Sequence, residues 1–230
     1  MEINIKIGRD AINDLLRSRG MLIKKTKRYF ITTNSNHYFY KSPNLLTDIK
    51  ITHSEQVFIS DITYIKTDSG HAYLALVTDA YSRKIMDWSL QENIKVSMVK
   101  DALNMAYKNC IFKHKNIIHH SDRGIQYCCP DYSQYAQNKG FVLSTTQQYD
   151  PYENAIAERI NGILKYEFGL KKTLKSVEID QKMIKEAVDL QNNLIMHLSL
   201  DLKRPQEVHL QYNKQINKNH KRVKKPILVS

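Results

Sequence analysis

A chain of 230 residues has room for one catalytic domain with short extensions, and its 42% hydrophobic and 25% charged residues, with few Gly and Pro, exclude disordered, collagen-like and low-complexity classes. The longest apolar run, Ala72 to Val77, falls far short of the roughly 18 to 20 residues that cross a bilayer, and the start Met1-Glu2-Ile3-Asn4 lacks a secretory signal, so the expectation is a cytoplasmic protein without a membrane partner. Of the net charge of +12, residues 1–50 and 201–230 carry +6 each, while 51–200 hold 17 charges of either sign, so two basic extensions flank a balanced middle.

In chain order, residues 10–19 with Ala11, Leu15 and Leu16 predict a short helix that stops at Gly20. A basic, aromatic linker follows over about 21–53, with Lys24, Lys25, Lys27 and Arg28 as a candidate phosphate-contacting arm. Its aromatics, Tyr29, Phe30, Tyr38, Phe39 and Tyr40, suit base stacking or packing on the core, with packing favoured. Val57 to Ile65, rich in β-branched and aromatic residues, predicts a strand buried on both faces. Turns at Asp68-Ser69-Gly70 and Ser82-Arg83-Lys84 separate it from strands Ala72–Thr78 and Ile85–Leu90, which makes an antiparallel meander; Asp79 and Arg83 are expected to fix the second turn by pairing. Then come a helix over 95–110, a strand over 116–120, a helix from Asp131 to Lys139, a strand over 141–146, and helices over about 153–168 and 176–197. The pattern predicts an α/β fold, a mixed five-stranded sheet with flanking helices. Lys221, Arg222, Lys224 and Lys225 lie in a basic tail.

Three carboxylates sit where isolated ones would be unfavourable or conspicuous. Asp61 lies mid-strand among Phe58, Ile59, Ile62 and Ile65, where desolvation demands a partner or a cation. Asp122 follows directly after a strand, and Glu158 lies on a helix opposite the Ile156, Ile160 and Ile163 stripe, sharing its side with Lys165. If the first and fourth strands are neighbours, the three converge as a hard oxygen site suited to Mg²⁺ or Mn²⁺. The plainer reading makes Asp122 a turn cap and Glu158 a solvated residue. Adjacent His119-His120 and Cys128-Cys129 do not make a zinc site, because neighbours on a strand face opposite ways. With only Cys110 besides, the cysteines fit a reducing compartment.

Four segments carry a resemblance: Ser60-Asp61-Ile62-Thr63-Tyr64, Tyr73 through Thr78-Asp79-Ala80-Tyr81-Ser82-Arg83, His119-His120-Ser121-Asp122-Arg123-Gly124, and Tyr152-Glu153-Asn154-Ala155-Ile156-Ala157-Glu158-Arg159. In this order, and with thirty-five residues between Asp122 and Glu158, the chain resembles the integrase core of bacterial insertion-sequence transposases, most of all the larger-frame product of insertion sequence family 3. Asn193, His197, Ser199-Leu200 and Pro205 resemble the family's closing pattern.

The resemblance implies an RNase H-like fold in which Asp61, Asp122 and Glu158 are catalytic and hold two Mg²⁺ ions, with Mn²⁺ tolerated. It implies metal-dependent DNA strand cleavage and strand transfer, acting as a homo-oligomer on element ends and target DNA, nucleoid-associated when bound, with no small-molecule substrate. Arg159 and Lys165 are then candidates to meet phosphates, against the plain reading of a solvated helix face. The expected division is a basic helical segment at 1–53, the remnant of a region after a helix-turn-helix; a catalytic core at 54–212; and a basic tail at 213–230. Family members usually start with a longer helix-turn-helix region, so the sequence leaves open both a complete protein and a truncated copy. Phe58 stands where the family commonly has Trp, Glu153 where it often has Asp, and Tyr149 near a frequent Gly. The alternatives are an RNase H-like nuclease acting on RNA–DNA hybrids and a non-catalytic DNA-binding remnant.

Overall fold

A computed structural model describes residues 7–22, 36–68, 70–112, 116–147, 155–170 and 177–211. Lys24, Lys25, Lys27, Arg28, Tyr29, Phe30 and the tail at 213–230 lie outside them. The chain forms two compact units, Met1–Phe30 and Ile31–Ser230. In the first, helix α1 (Arg9–Ser18) ends as the glycine predicts: Gly20 has φ +67, its N–H reaches Arg17 O, and Met21 N reaches Leu16 O, a closure that the left-handed backbone permits.

The second unit is built on one sheet in the order β3-β2-β1-β4-β5. Strands β1 (Val57–Thr67), β2 (Gly70–Asp79) and β3 (Ile85–Gln91) run antiparallel; β4 (Ile118–Ser121) lies parallel to β1, and β5 (Val142–Thr145) parallel to β4. The central strand β1 is buried on both faces, which explains its almost unbroken apolar sequence. One face packs Phe58, Ile62, Ala75 and Val77 against Met98, Leu103 and Ala106 of α2 (Val96–Lys108) and Tyr132 and Ala136 of α4 (Pro130–Asn138). The opposite face packs Ile65, Leu74, Leu76 and Ile85 against Ile160, Ile163, Leu164, Ile184 and Ala187. Those belong to α5 (Ala155–Gly162), its π-helical continuation Ile163–Glu167, and α6 (Val177–Asn193).

The predicted elements are present, with three additions: a single turn α3 (Ile125–Cys128), a 3-10 turn at Leu198–Leu200, and a helical stretch at 205–211. The turn after β2 is held differently from the expected pairing. Asp79 Oδ1 accepts Ser82 N at 2.7 Å and Ser82 Oγ at 2.6 Å, while Arg83, at φ 63, donates to Ala80 O. Residues 36–53 run along the core rather than away from it. Leu45, Leu46, Ile49 and Ile51 pack on Val57, Ile59 and Ile118, and Leu45 N donates to Ser144 Oγ at 2.9 Å. Phe39 packs against the core, whereas Tyr38 and Tyr40 stand 92% and 79% exposed.

Candidate active site

Parallel pairing places Ser60 opposite Ser121, so the next residue on each chain, Asp61 and Asp122, lie side by side. Alternation puts Asp61 on the face of Val57 and Ile59, which is the face that α5 covers through Ala157. Asp122 Oδ1 accepts the Gly124 amide at 3.0 Å, so one oxygen holds the turn and orients the carboxylate. The turn-capping role foreseen for Asp122 and its place beside Asp61 therefore coexist.

Helix α5 supplies the third group. Asn161 Nδ2 donates to Asp61 Oδ2 at 2.6 Å, and Glu158, one turn earlier, lies exposed on the same flank. Asn161 is a residue that sequence reasoning missed; its signal was the i,i+3 spacing from Glu158. Its Oδ1 is buried and has no hydrogen-bond partner among the described residues. Lys165, half-buried on the π-helical turn, sets its Nζ 4.3 Å from the Tyr64 ring centroid and within electrostatic reach of Asp61. Burial and the Asp61 charge oppose each other there, burial prevailing and pulling the ammonium below its ordinary value. Arg159, largely exposed, pairs with Glu167 at 3.6 Å.

The electrostatics centre on Asp61. Burial first, then the charges of Asp122 and Glu158, push its carboxyl up to about 8, against the opposing pull of the Ile62 amide and Lys165. A buried Asp61 whose proton affinity is raised by the neighbouring charges of Asp122 and Glu158 marks a locus of unbalanced negative charge, the condition a divalent cation relieves. The donors are all hard oxygens: Asp61, Asp122, Glu158 and Asn161 Oδ1. The Cys128 thiol nearby is pushed up to about 11, chiefly by burial and then by Asp122, and stays protonated. As placed, no three His, Cys, Asp or Glu among the described residues stand close enough to hold an ion.

The two histidines before Asp122 face opposite ways, as expected. His119 Nε2 meets Ser60 Oγ at 2.8 Å and Tyr132 Oη at 3.1 Å on the α2/α4 face, and burial pulls its imidazole down to about 3. His120 Nδ1 meets Ser144 Oγ at 2.8 Å. Both positions are structural.

Comparison with known proteins agrees with this architecture. A family model described as integrase core domain matches residues 51–151, and a second of the same description matches 139–205. The chain is 35% identical over 167 residues to the insertion element IS600 uncharacterized 31 kDa protein of Shigella sonnei, covering 72% of this chain and 61% of that one. It is 30% identical over 200 residues to the transposase for insertion sequence element IS904 of Lactococcus lactis, covering 85% of this chain and 78% of that one. The chain thus spans under two thirds of the Shigella protein's length. Among solved structures, the HTLV-2 integrase catalytic core domain in complex with magnesium superposes with a TM-score of 0.54 at 16% identity, over 70% of this chain and 99% of that one. At that identity the likeness establishes the fold, an RNase H-like mixed sheet. Together with the Lactococcus match across most of both sequences, it follows that the chain belongs to the integrase-core transposases of bacterial insertion sequences.

Proposed function

We propose that this chain carries out the DNA strand cleavage and strand transfer of an insertion sequence, with Asp61, Asp122 and Glu158 as its catalytic carboxylates. The observation that carries the reading is the β1–β4 register, which sets Asp61 beside Asp122 against the helix that bears Glu158 and Asn161. Two Mg²⁺ ions bound there would supply the Lewis acidity and charge that in-line displacement at phosphorus requires. Asp61, in the middle of β1, and Asp122, just past the end of β4, would hold the metal together with Glu158 of α5. Asn161 keeps Asp61 in its rotamer and offers Oδ1 as a further oxygen. Lys165, its ammonium held over the Tyr64 ring, is placed to meet a phosphate oxygen of the strand.

The partners in this reading are the element's ends, target DNA and further copies of the chain, and the compartment is the bacterial cytoplasm. The basic arms at 24–28 and 221–225 would track the phosphate backbone. The test uses oligonucleotides bearing the element's terminal inverted repeat, incubated with the full chain and Mg²⁺. Nicking at the element end and joining to a target are expected, with both lost in Asp122→Asn and Glu158→Gln. Activity that survives either substitution overturns the assignment.

A further inference from the structure

A cavity of about 270 Å³ opens beside Asp122 at the ends of β4 and β5, lined by Lys41, Ser42, Arg123, Thr145, Thr146 and Gln147. Its charge is one-sided. Lys41 and Arg123 face it, and neither forms an ion pair among the described residues. Both cations are held from behind: Lys41 Nζ donates to His37 O at 3.2 Å, Arg123 Nε to Thr146 O at 2.5 Å, and His37 Nε2 meets Arg123 O at 2.8 Å. Thr145 Oγ1 donates to Ser42 O at 2.6 Å, which ties the segment before the core to the sheet on the cavity's far wall. Among the described residues the guanidinium's terminal nitrogens have no partner. The Cys128 thiol senses Asp122, Lys41 and Arg123 together, so the cations lie close to the carboxylate site. Next in the chain to Lys41, Tyr40 stands 79% exposed.

We propose that this cavity seats one backbone phosphate of the DNA strand beside the catalytic carboxylates, gripped by Lys41 and Arg123, with Tyr40 stacking on an adjoining base. Preheld cations with no acidic partner among the described residues match a phosphodiester, and an exposed aromatic next in the chain to Lys41 matches an adjoining base. Residues 36–42 thereby complete a strand-binding wall that β4 and β5 provide only in half. The assignment rests on the strand-transfer reading, but its test does not need turnover.

Binding of a fluorescein-labelled DNA duplex with a single-stranded 3′ end is measured by anisotropy across a salt series, in EDTA so that cleavage is silent. Compared with the wild-type chain, Lys41→Gln and Arg123→Gln should weaken binding, and the double variant's slope of log affinity against log salt should be shallower by about one, the loss of one phosphate contact. Arg123→Lys, which keeps the charge, should retain most of the affinity, and Tyr40→Ala should weaken binding without changing the slope. Lys41→Gln touches no core contact and tests the site even if Arg123→Gln unfolds. Unchanged affinity in a folded Lys41→Gln chain, while the wild type still nicks DNA with Mg²⁺, overturns the cavity assignment and leaves the proposed function standing. A shallower slope with no nicking by the wild type does the reverse. Stabilisation by inorganic phosphate alone, with DNA affinity equal in wild type and variants, assigns the cavity to free phosphate and overturns the nucleic-acid reading.

Discussion

At the scale of single residues, Asp61 shows how a strand can carry a group that its folding does not favour. Its carboxyl is pushed up to about 8, so the folded chain holds a proton that the unfolded chain releases near the ordinary carboxylate value. The stability Asp61 contributes is therefore present in full at low pH and is lost as pH rises to about 8. In metal-free buffer above that pH, Asp61→Asn is expected to raise Tm by a few degrees, about 2–4 °C for each ~1 kcal/mol relieved in a chain of this size. Calorimetry at pH 5 and 9 checks the sign, since the gain should shrink at the lower pH. Asn161 is the counterpart: Asn161→Ala removes the amide that orients Asp61 and is expected to lower strand-cleavage activity by roughly 10- to 100-fold, as loss of a ligand-orienting partner does. The fall should be accompanied by a weaker apparent Mg²⁺ dependence, measured by titrating the metal against initial rate.

Elements are joined at a second polar centre that the catalytic reading does not use. His209, in the helical stretch at 205–211, is fully buried between Glu55, just before β1, and Asp79, at the end of β2. Its Nε2 lies 3.3 Å from Glu55 Oε1, and Ser82 Oγ lies 3.0 Å from its Nδ1. Glu55, held at φ 62, also accepts the Ile111 and Phe112 amides at 2.7 and 2.9 Å, so a single carboxylate ties β1, the end of the α2 segment and the terminal helix together. Burial pulls the His209 imidazole down, but the Asp79 and Glu55 carboxylates outweigh it and hold it above its ordinary value. For Glu55, burial pushes up while His209 and the two amides prevail and hold it below. His209 contributes stability that is full below its ordinary value and lost as pH rises through the raised one. Glu55's share is present above its ordinary value and lost as pH falls through the depressed one. Denaturant unfolding should therefore show a maximum at mildly acidic to neutral pH that flattens in His209→Gln. That substitution leaves buried carboxylates unpaired and is expected to destabilise the chain by about 3–5 kcal/mol. A double change with Glu55→Gln should lose less than the two single losses combined.

For the whole molecule, the sheet gathers Asp61 and Asp122 on neighbouring interior strands of a chain whose two ends carry net positive charge. A cation that binds the folded chain and not the unfolded one stabilises it by about 2.7 kcal/mol at a hundred times its Kd. Mg²⁺ is accordingly expected to raise the Tm of the wild-type chain, and the rise should vanish in Asp122→Asn and in Glu158→Gln. Thermal shift with and without Mg²⁺ measures this without any DNA present. A rise of equal size in all three proteins would place the ion elsewhere and remove the carboxylates from the metal assignment.

Local patterns carried much of this architecture. The β-branched run from Val57 marks a strand buried on both faces because only side chains of that shape fill a two-sided core, and the Gly20 and Gly140 stops are legible because the left-handed backbone favours glycine. The spacing of Asp122 and Glu158 and the flanking motifs were equally visible in the sequence. What only the tertiary structure decided are the meetings of distant residues. Asp61 lies beside Asp122 because β1 and β4 pair in one register, and a slip of a single residue would turn one carboxylate to the other face. Asn161 reaches Asp61 because α5 docks on that face, Lys41 joins Arg123 because residues 36–53 fold back along the sheet, and His209 meets Glu55 across more than 150 residues of chain. Periodicity encodes which face of an element is apolar. Which elements then share that face is settled by packing and strand pairing, and there the chemistry is assembled.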